Sequence, residues 1–277
     1  MYCSPRSKGT FTINQVKDVL KELQKIGSVS EVCFEGGEPF LFHPLLLECI
    51  RLANNKGFKT AIETNTYWAT TEEDAELWLR PLRDSGLSML EVSDDTFHHG
   101  EEVANSAKRA FSAAQKIGMN VNSICINKPM IENNKELVKG KPIYTGGPKL
   151  RGRAAEKLTK GLPGSPWENF TECPFEDLRH PKRVHIDPFG NVHLCQGLSI
   201  GNMWETKLSD LVNNYDPDAH PIIGPLLRGG SAQLAREHST VHDHEYIDAC
   251  HMCTDICLKL IDKFPEYIAP RQVYGLE

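Results

Sequence analysis

From Ile13 onward, the apolar positions alternate between a helical spacing and a strand spacing. In "INQVKDVLKELQKI", Ile13, Val16, Val19, Leu20, Leu23 and Ile26 share one helical face, and Gly27 supplies the stop. "EVCFEG" then alternates with a period of two and predicts a strand from Glu31. Pro44 opens a helix that ends at Gly57, and "FKTAIET" predicts a second strand. "TEEDAELWLRPLRDSG" predicts a capped helix with Pro81 as a kink point, followed by the strand "LSMLEVS". "EEVANSAKRAFSAAQKIG" predicts a further helix and "MNVNSICIN" a fourth strand. Strands separated by single helices imply parallel βαβ units. Polar clusters recur at the carboxyl ends of these strands, which favours a β/α barrel over a doubly wound sheet.

The pattern weakens beyond "KPIYTGGPKLRGRAAEKL", and "GLPGSPWENF", from Gly161, is a Gly/Pro-rich linker. "VHIDPFGNVHLC" predicts a hairpin around "DPFGN". A helix at "ETKLSDLVNNY", an irregular stretch and a helix near "YIDACHMCTDICLKLIDKF" complete the chain. The expected organisation is α/β: a barrel over residues 1–165 and a small cysteine-rich hairpin-plus-helix domain over 166–277.

The chain has 277 residues and a formal charge of -6, which argues against a basic nucleic-acid footprint. No run of about 18 apolar residues suggests a membrane span, and "MYCSPRSKGT" lacks an apolar signal core, so a cytoplasmic protein is expected. In a reducing compartment, nine cysteines imply metal or redox chemistry more than disulfides. Cys33, Cys49 and Cys125 lie in apolar segments where a thiol is usually a small buried hydrophobe. Cys173, Cys195, Cys250, Cys253 and Cys257 crowd the last third.

"CHMCTDIC" puts Cys250, Cys253 and Cys257 at helical positions i, i+3 and i+7, with their sulfurs on one face. With Cys195 at the hairpin end and Cys173 before "PFEDL", they can close a four-thiolate centre for zinc or an iron–sulfur cluster. Five thiols suffice for one such centre and not for two. His185 and His193 flank the hairpin turn, as packing residues or as outer donors to cluster sulfurs.

Glu35, Gly36, Gly37, Glu38 and Pro39 follow the first predicted strand, Thr64, Asn65 and Thr66 the second, and Ser93, Asp94, Asp95, Thr96, Phe97, His98 and His99 the third. Thr64, Ser93 and Asp95 can act simply as helix caps. The glycine pair is different. It lets a ligand lie against bare backbone, and Glu38 beside it can hold an ammonium group, a combination suited to an amino-acid zwitterion. His98 is a candidate proton acceptor with Asp95 beside it; the alternative is a solvated residue at a helix start.

"FEGGEPFL" resembles the methionine-binding motif of the radical S-adenosylmethionine (SAM) enzymes. "ETN", "SDDTFH" and "GRA" at Gly152–Ala154 follow in matching order, and "GNVHLC" with "CHMCTDIC" is similar to the auxiliary-cluster (SPASM or Twitch) extension of many of these enzymes. The resemblance implies a partial (β/α)6 barrel holding a [4Fe–4S] cluster and S-adenosylmethionine. It also implies reductive cleavage to methionine and a 5′-deoxyadenosyl radical that takes hydrogen from a substrate. Carried over, Gly36, Gly37, Glu38 and Pro39 bind the methionyl amino group. Thr64 and Asn65 lie in the cofactor region, Ser93 and Asp94 near the ribose, and Arg153 on the carboxylate side of the cofactor. Cys173, Cys195, Cys250, Cys253 and Cys257 supply an auxiliary cluster. The implied partners are an electron donor of the flavodoxin or ferredoxin type and a substrate for which a peptide or protein is the leading candidate.

The family's cluster loop is a C-x3-C-x2-C run, whereas this chain carries the single Cys3 in that region. The expectation is that a strand and two further cysteines precede Met1 and that Cys3 is, or adjoins, the third ligand, so that this chain alone does not assemble the catalytic cluster; the alternative is a degenerate member without the cluster. Two rival readings stand beside this one. One is a barrel hydrolase using Glu35 or Glu38 with Asp94 or Asp95. The other is a non-enzymatic module stapled by zinc through the tail cysteines.

Overall fold

The structure, a computed structural model, describes residues 8–132, 143–145 and 147–276. Cys3 lies outside these residues. The chain divides into two compact units, residues 11–128 and residues 1–10 with 129–277.

The first unit is built from alternating strands and helices. Helix α1 (Ile13–Ile26) starts with a capping box in which the Thr12 side chain and Gln15 bond each other's backbone, and it stops at Gly27, whose N–H bonds Leu23 O. Strand β1 (Glu31–Phe34), helix α2 (His43–Asn55), β2 (Lys59–Thr64), α3 (Glu72–Asp84), β3 (Met89–Ser93), the single turn α4 (Thr96–His99), α5 (Ser106–Lys116) and β4 (Val121–Ile124) follow. The strands form a four-stranded sheet in the order β1-β2-β3-β4, and every pair is parallel. Thr71 caps α3 above the acidic first turn Glu72–Asp74, and the helix runs through Pro81 to Asp84.

One boundary differs from the sequence expectation. The helix expected from Glu101 begins at Ser106, because the Asn105 side chain caps the backbone N–H of Lys108. The core lies between sheet and helices. Ile62, Leu90 and Val92 pack against Leu46, Ile50, Leu79 and the small stripe Ala107, Ala110, Ala113 and Ala114. Full burial of one such aliphatic side chain is worth about 1.5–3 kcal/mol, and alanines let α5 approach closely.

The second unit has a different character. The pair β5 (Met130–Glu132) and β6 (Ile143–Thr145) is antiparallel. Helix α6 (Arg153–Lys157) is short, and β7 (Ser165–Pro166) pairs with β11 (Glu245–Tyr246). The expected hairpin forms from β8 (His185–Ile186) and β9 (Asn191–Cys195) and gains a third strand, β10 (Leu198–Asn202). After α7 (Leu208–Asn213), the stretch expected to be irregular contains α8 (Ile223–Glu237). Pro225 and the Gly229–Gly230 pair hide this helix from a periodicity reading, and the backbone leaves helical geometry at both glycines. Helix α9 (Ala249–Leu260) carries the cysteine triplet and is capped by Asp248, which accepts from His251 N. Ile222, Ile223, Leu234, Tyr246, Met252, Ile256 and Ile268 form this unit's core. Among the described residues, no helix is long and apolar enough to cross a membrane.

Candidate functional site

In the first unit, the chemistry gathers at the carboxyl ends of the parallel strands. Beyond β1, Gly36 takes φ 133°, a conformation open to glycine and strained for other residues. A Cβ placed on Gly36 or Gly37 meets nothing within 4 Å, so the backbone of the pair faces open space. Glu38 closes the loop. Its Oε1 accepts from Phe40 N at 3.1 Å and from Thr64 Oγ1 at 2.9 Å, and its Oε2 accepts from Asn65 N at 2.7 Å. It thus caps the 3-10 turn Pro39–Phe42 and ties the end of β1 to the end of β2. Glu38 is buried, and desolvation pushes its carboxyl above the usual range despite these three donors. Three donors occupy three of about four lone-pair positions of a carboxylate, which leaves one for a ligand ammonium.

Thr64 is the hub of the next strand end. Its Oγ1 also accepts from Thr66 N and Trp68 Nε1, each at 3.0 Å, and Trp68 stacks on Phe40 with ring centroids 4.2 Å apart. Thr66, in the sequence only one of the polar residues after β2, has a distinct structural part. It holds φ 62°, a left-handed conformation unusual for a β-branched residue, and is pinned by Oγ1 bonds to Asn65 O and Ser106 Oγ. No sequence signal marks that part, because threonine is not a residue expected in this conformation.

After β3, Ser93 and Asp95 are buried. Asp94 Oδ1 accepts from Asn105 Nδ2 at 2.6 Å, while Asp94 N–H bonds Ile124 O of β4. Asp95 Oδ1 accepts from the backbone N–H groups of Phe97 and His98 and meets His98 Nδ1 at 2.9 Å. Asp95 is therefore a helix cap and an orienting carboxylate together, and His98 keeps Nε2 available. His99 Nε2 instead donates to Ser93 O at 2.8 Å, a bracing role. On the sheet face opposite Ile62 and Leu90, Glu63 of β2 sits in register with Glu91 of β3, and Glu91 with Asn122 of β4. The thiol of Cys33 is pushed up to about 12, first by desolvation and then by the carboxylates of Glu35, Glu91, Glu63 and Glu31.

In the second unit, the five expected cysteines come together. Cys173 accepts backbone N–H bonds from Phe175 and Glu176 and interacts electrostatically with Cys253. Cys195 does so with Cys253 and Cys173, and Cys250 with Cys253 and Cys195. Cys257 belongs to this set: its sulfur lies 4.0 Å from Cys253 Sγ, and it bonds to Tyr274. Burial raises the thiols of Cys173, Cys195 and Cys250, Cys195 to about 11. Cys195, Cys250, Cys253, Cys257, Arg151 and Tyr274 line a cavity of about 40 Å³, as does Gln196, whose buried Oε1 has no hydrogen-bond partner among the described residues. Among the described residues, no three His, Cys, Asp or Glu side chains converge tightly enough to hold a single metal ion. His193 does not reach the sulfurs as a donor: it braces the hairpin, with Nε2 3.2 Å from Asp187 Oδ2 and Nδ1 accepting from Gly197 N. Arg153 opens α6. Arg151, two residues before it, carries no signal in the sequence, although its guanidinium is the group that meets Cys195.

Residues 2–138 match the family model described as the Radical SAM superfamily. That segment is similar to the radical SAM domain. It holds the parallel sheet and the strand-end residues Gly36 to His98, whereas Cys173 and the later cysteines lie beyond it. No curated protein matches the chain. Among solved structures, the chain is similar to the crystal structure of BtrN in complex with AdoMet and 2-DOIA, at 16% identity and a TM-score of 0.46. The match covers 77% of this chain and 76% of that one, and a likeness of that strength adds nothing to the family match.

Proposed function

We propose that the chain is a radical SAM enzyme whose strand-end loop seats the methionyl end of S-adenosylmethionine and whose cysteine-rich unit carries an auxiliary iron–sulfur cluster. The general reaction class is supported by the match of residues 2–138 to the Radical SAM superfamily model. In that class, a [4Fe–4S] cluster supplies the electron that cleaves S-adenosylmethionine and so provides the 5′-deoxyadenosyl radical that removes hydrogen from substrate. The observation that carries the assignment of the site is the open backbone of Gly36 and Gly37 beside the fixed carboxylate of Glu38. Backbone carbonyls and one remaining carboxylate lone pair suit an ammonium group, and Asn65, Ser93 and Asp94 present polar groups at the adjoining strand ends.

For the second unit, the proposed auxiliary ligands come from Cys173, Cys195, Cys250, Cys253 and Cys257, with Cys257 4.0 Å from Cys253. The choice of an iron–sulfur cluster over a zinc staple is proposed from the sequence resemblance. The N–H bonds to Cys173 are the kind of support that cluster sulfurs receive. His98, oriented by Asp95, is the proposed proton acceptor at the mouth. A peptide or protein substrate and a flavodoxin- or ferredoxin-type electron donor are proposed from the sequence resemblance.

The test is anaerobic reconstitution of the full-length protein with iron and sulfide, followed by dithionite and S-adenosylmethionine. The expected result is a brown protein that releases 5′-deoxyadenosine and loses that release in Gly36→Val. A colourless protein with stoichiometric zinc, or an iron-loaded one that leaves S-adenosylmethionine intact, overturns the proposal.

A further inference from the structure

Arg151 is placed with more care than a surface arginine needs. Its Nη1 lies 3.0 Å from Cys195 Sγ. Among the described residues, no carboxylate lies within ion-pair distance of it, although this unit pairs Arg179 with Asp218, Arg183 with Glu176, Arg228 with Glu237 and Arg271 with Asp262. The backbone on either side is held by the same elements that carry the cysteines. Leu150 is fully buried, and its N–H bonds Oδ2 of Asp248, the cap of α9. Lys149 pairs at 2.6 Å with Glu176, whose backbone N–H bonds Cys173. Arg151 is thus anchored between the loop of Cys173 and the helix of Cys250 and Cys253.

A thiol is a weak acceptor and offers a guanidinium little. A metal-bound thiolate carries charge, and bonds from cations to such sulfurs are strong. We propose that Arg151 is the positioning cation of the auxiliary cluster, its guanidinium bonded to Cys195 Sγ to offset thiolate charge and set the cluster's reduction potential. The inference rests on the auxiliary-cluster reading above. The physical reason is electrostatic. A cluster gains negative charge when it accepts an electron, so a fixed cation at a ligand sulfur stabilises the reduced form and raises the potential. The charge of Arg151 also acts on Cys250 and Cys253, so it bears on three of the five proposed thiols.

The full chain is reconstituted anaerobically with ferrous iron and sulfide as wild type, Cys250→Ala, Arg151→Gln and Arg151→Lys. Iron per chain is counted, and the cluster signal that S-adenosylmethionine leaves unchanged is titrated with dithionite. Cys250→Ala is expected to lose that signal; if it keeps the wild-type signal and iron content, the cluster reading itself fails. With the cluster present, Arg151→Gln is expected to shift its midpoint to more negative potential, and Arg151→Lys to restore most of the difference. Equal midpoints in wild type and both Arg151 variants overturn the role of Arg151 while leaving the cluster reading intact. If Arg151→Gln assembles no cluster, assembly in Arg151→Lys supports the role of charge, and failure in both overturns it.

Discussion

Thr64 Oγ1 donates a 2.9 Å hydrogen bond to Glu38 Oε1, joining the end of one parallel strand to the loop that leaves its neighbour. The hydroxyl also accepts from Thr66 N and Trp68 Nε1, so one oxygen organises two strand ends. Thr64→Val keeps the shape and removes all three bonds. The expected loss is about 1–3 kcal/mol of stability, the cost of leaving buried polar groups unpaired, read as a lower urea midpoint. Thr64→Ser is expected to recover most of it, and equal midpoints for Val and wild type would show that the hydroxyl organises nothing.

The buried Glu38 predicts a pH dependence with a definite sign. Its folded carboxyl titrates above the ordinary 4.5 because of desolvation. Between that value and the raised one, the folded state binds more protons than the unfolded state, so stability falls as pH rises through the window. Glu38→Gln cannot titrate and is expected to flatten this fall. Denaturant midpoints measured from pH 4 upward (about the onset of carboxylate titration) check it, and an unchanged slope would count against a buried Glu38.

Asp95 holds His98 Nδ1 at 2.9 Å, which orients the other ring nitrogen outward. If His98 accepts a substrate proton, His98→Gln is expected to lower product formation about 100-fold while 5′-deoxyadenosine release continues. A variant with wild-type product yield would leave His98 as a helix-start residue and nothing more.

Gly230 predicts a structural effect on the thiol site. With φ 63°, a Cβ there would lie 2.3 Å from Phe170 O and 2.4 Å from Glu172 N, backbone atoms leading directly into Cys173. Ala232 N–H bonds Phe170 O at 3.1 Å, so the kink of α8 is what holds that segment. Gly230→Ala is expected to cost about 1–3 kcal/mol by overpacking and to lower the iron bound per chain. Thermal unfolding and iron analysis check both.

Much of the first unit was legible because its signals are local. The apolar face Ile13–Ile26 with its Gly27 stop, the capped helix at "TEEDAELWLRPLRDSG" and the strand at "FKTAIET" each lie within one element, and each forms as expected. The glycine pair and the cysteine triplet were equally plain, since i, i+3 and i+7 share a face on any helix. Helix α8 was not, because Pro225 and two glycines break the pattern that a helix normally writes into its sequence.

What the sequence determined by itself is the alternating elements of the first unit and the chemical character of both sites: parallel strands, the first followed by Gly36–Gly37–Glu38, and a thiol-rich tail. What only the tertiary structure decided is who partners whom. Glu38 meets Thr64 across 26 positions and Arg151 meets Cys195 across 44. Neither pairing follows a residue spacing, because each depends on how strands and loops stack rather than on the period of a helix or strand. Periodicity reports the face a side chain takes within its own element, and packing alone chooses what stands opposite it.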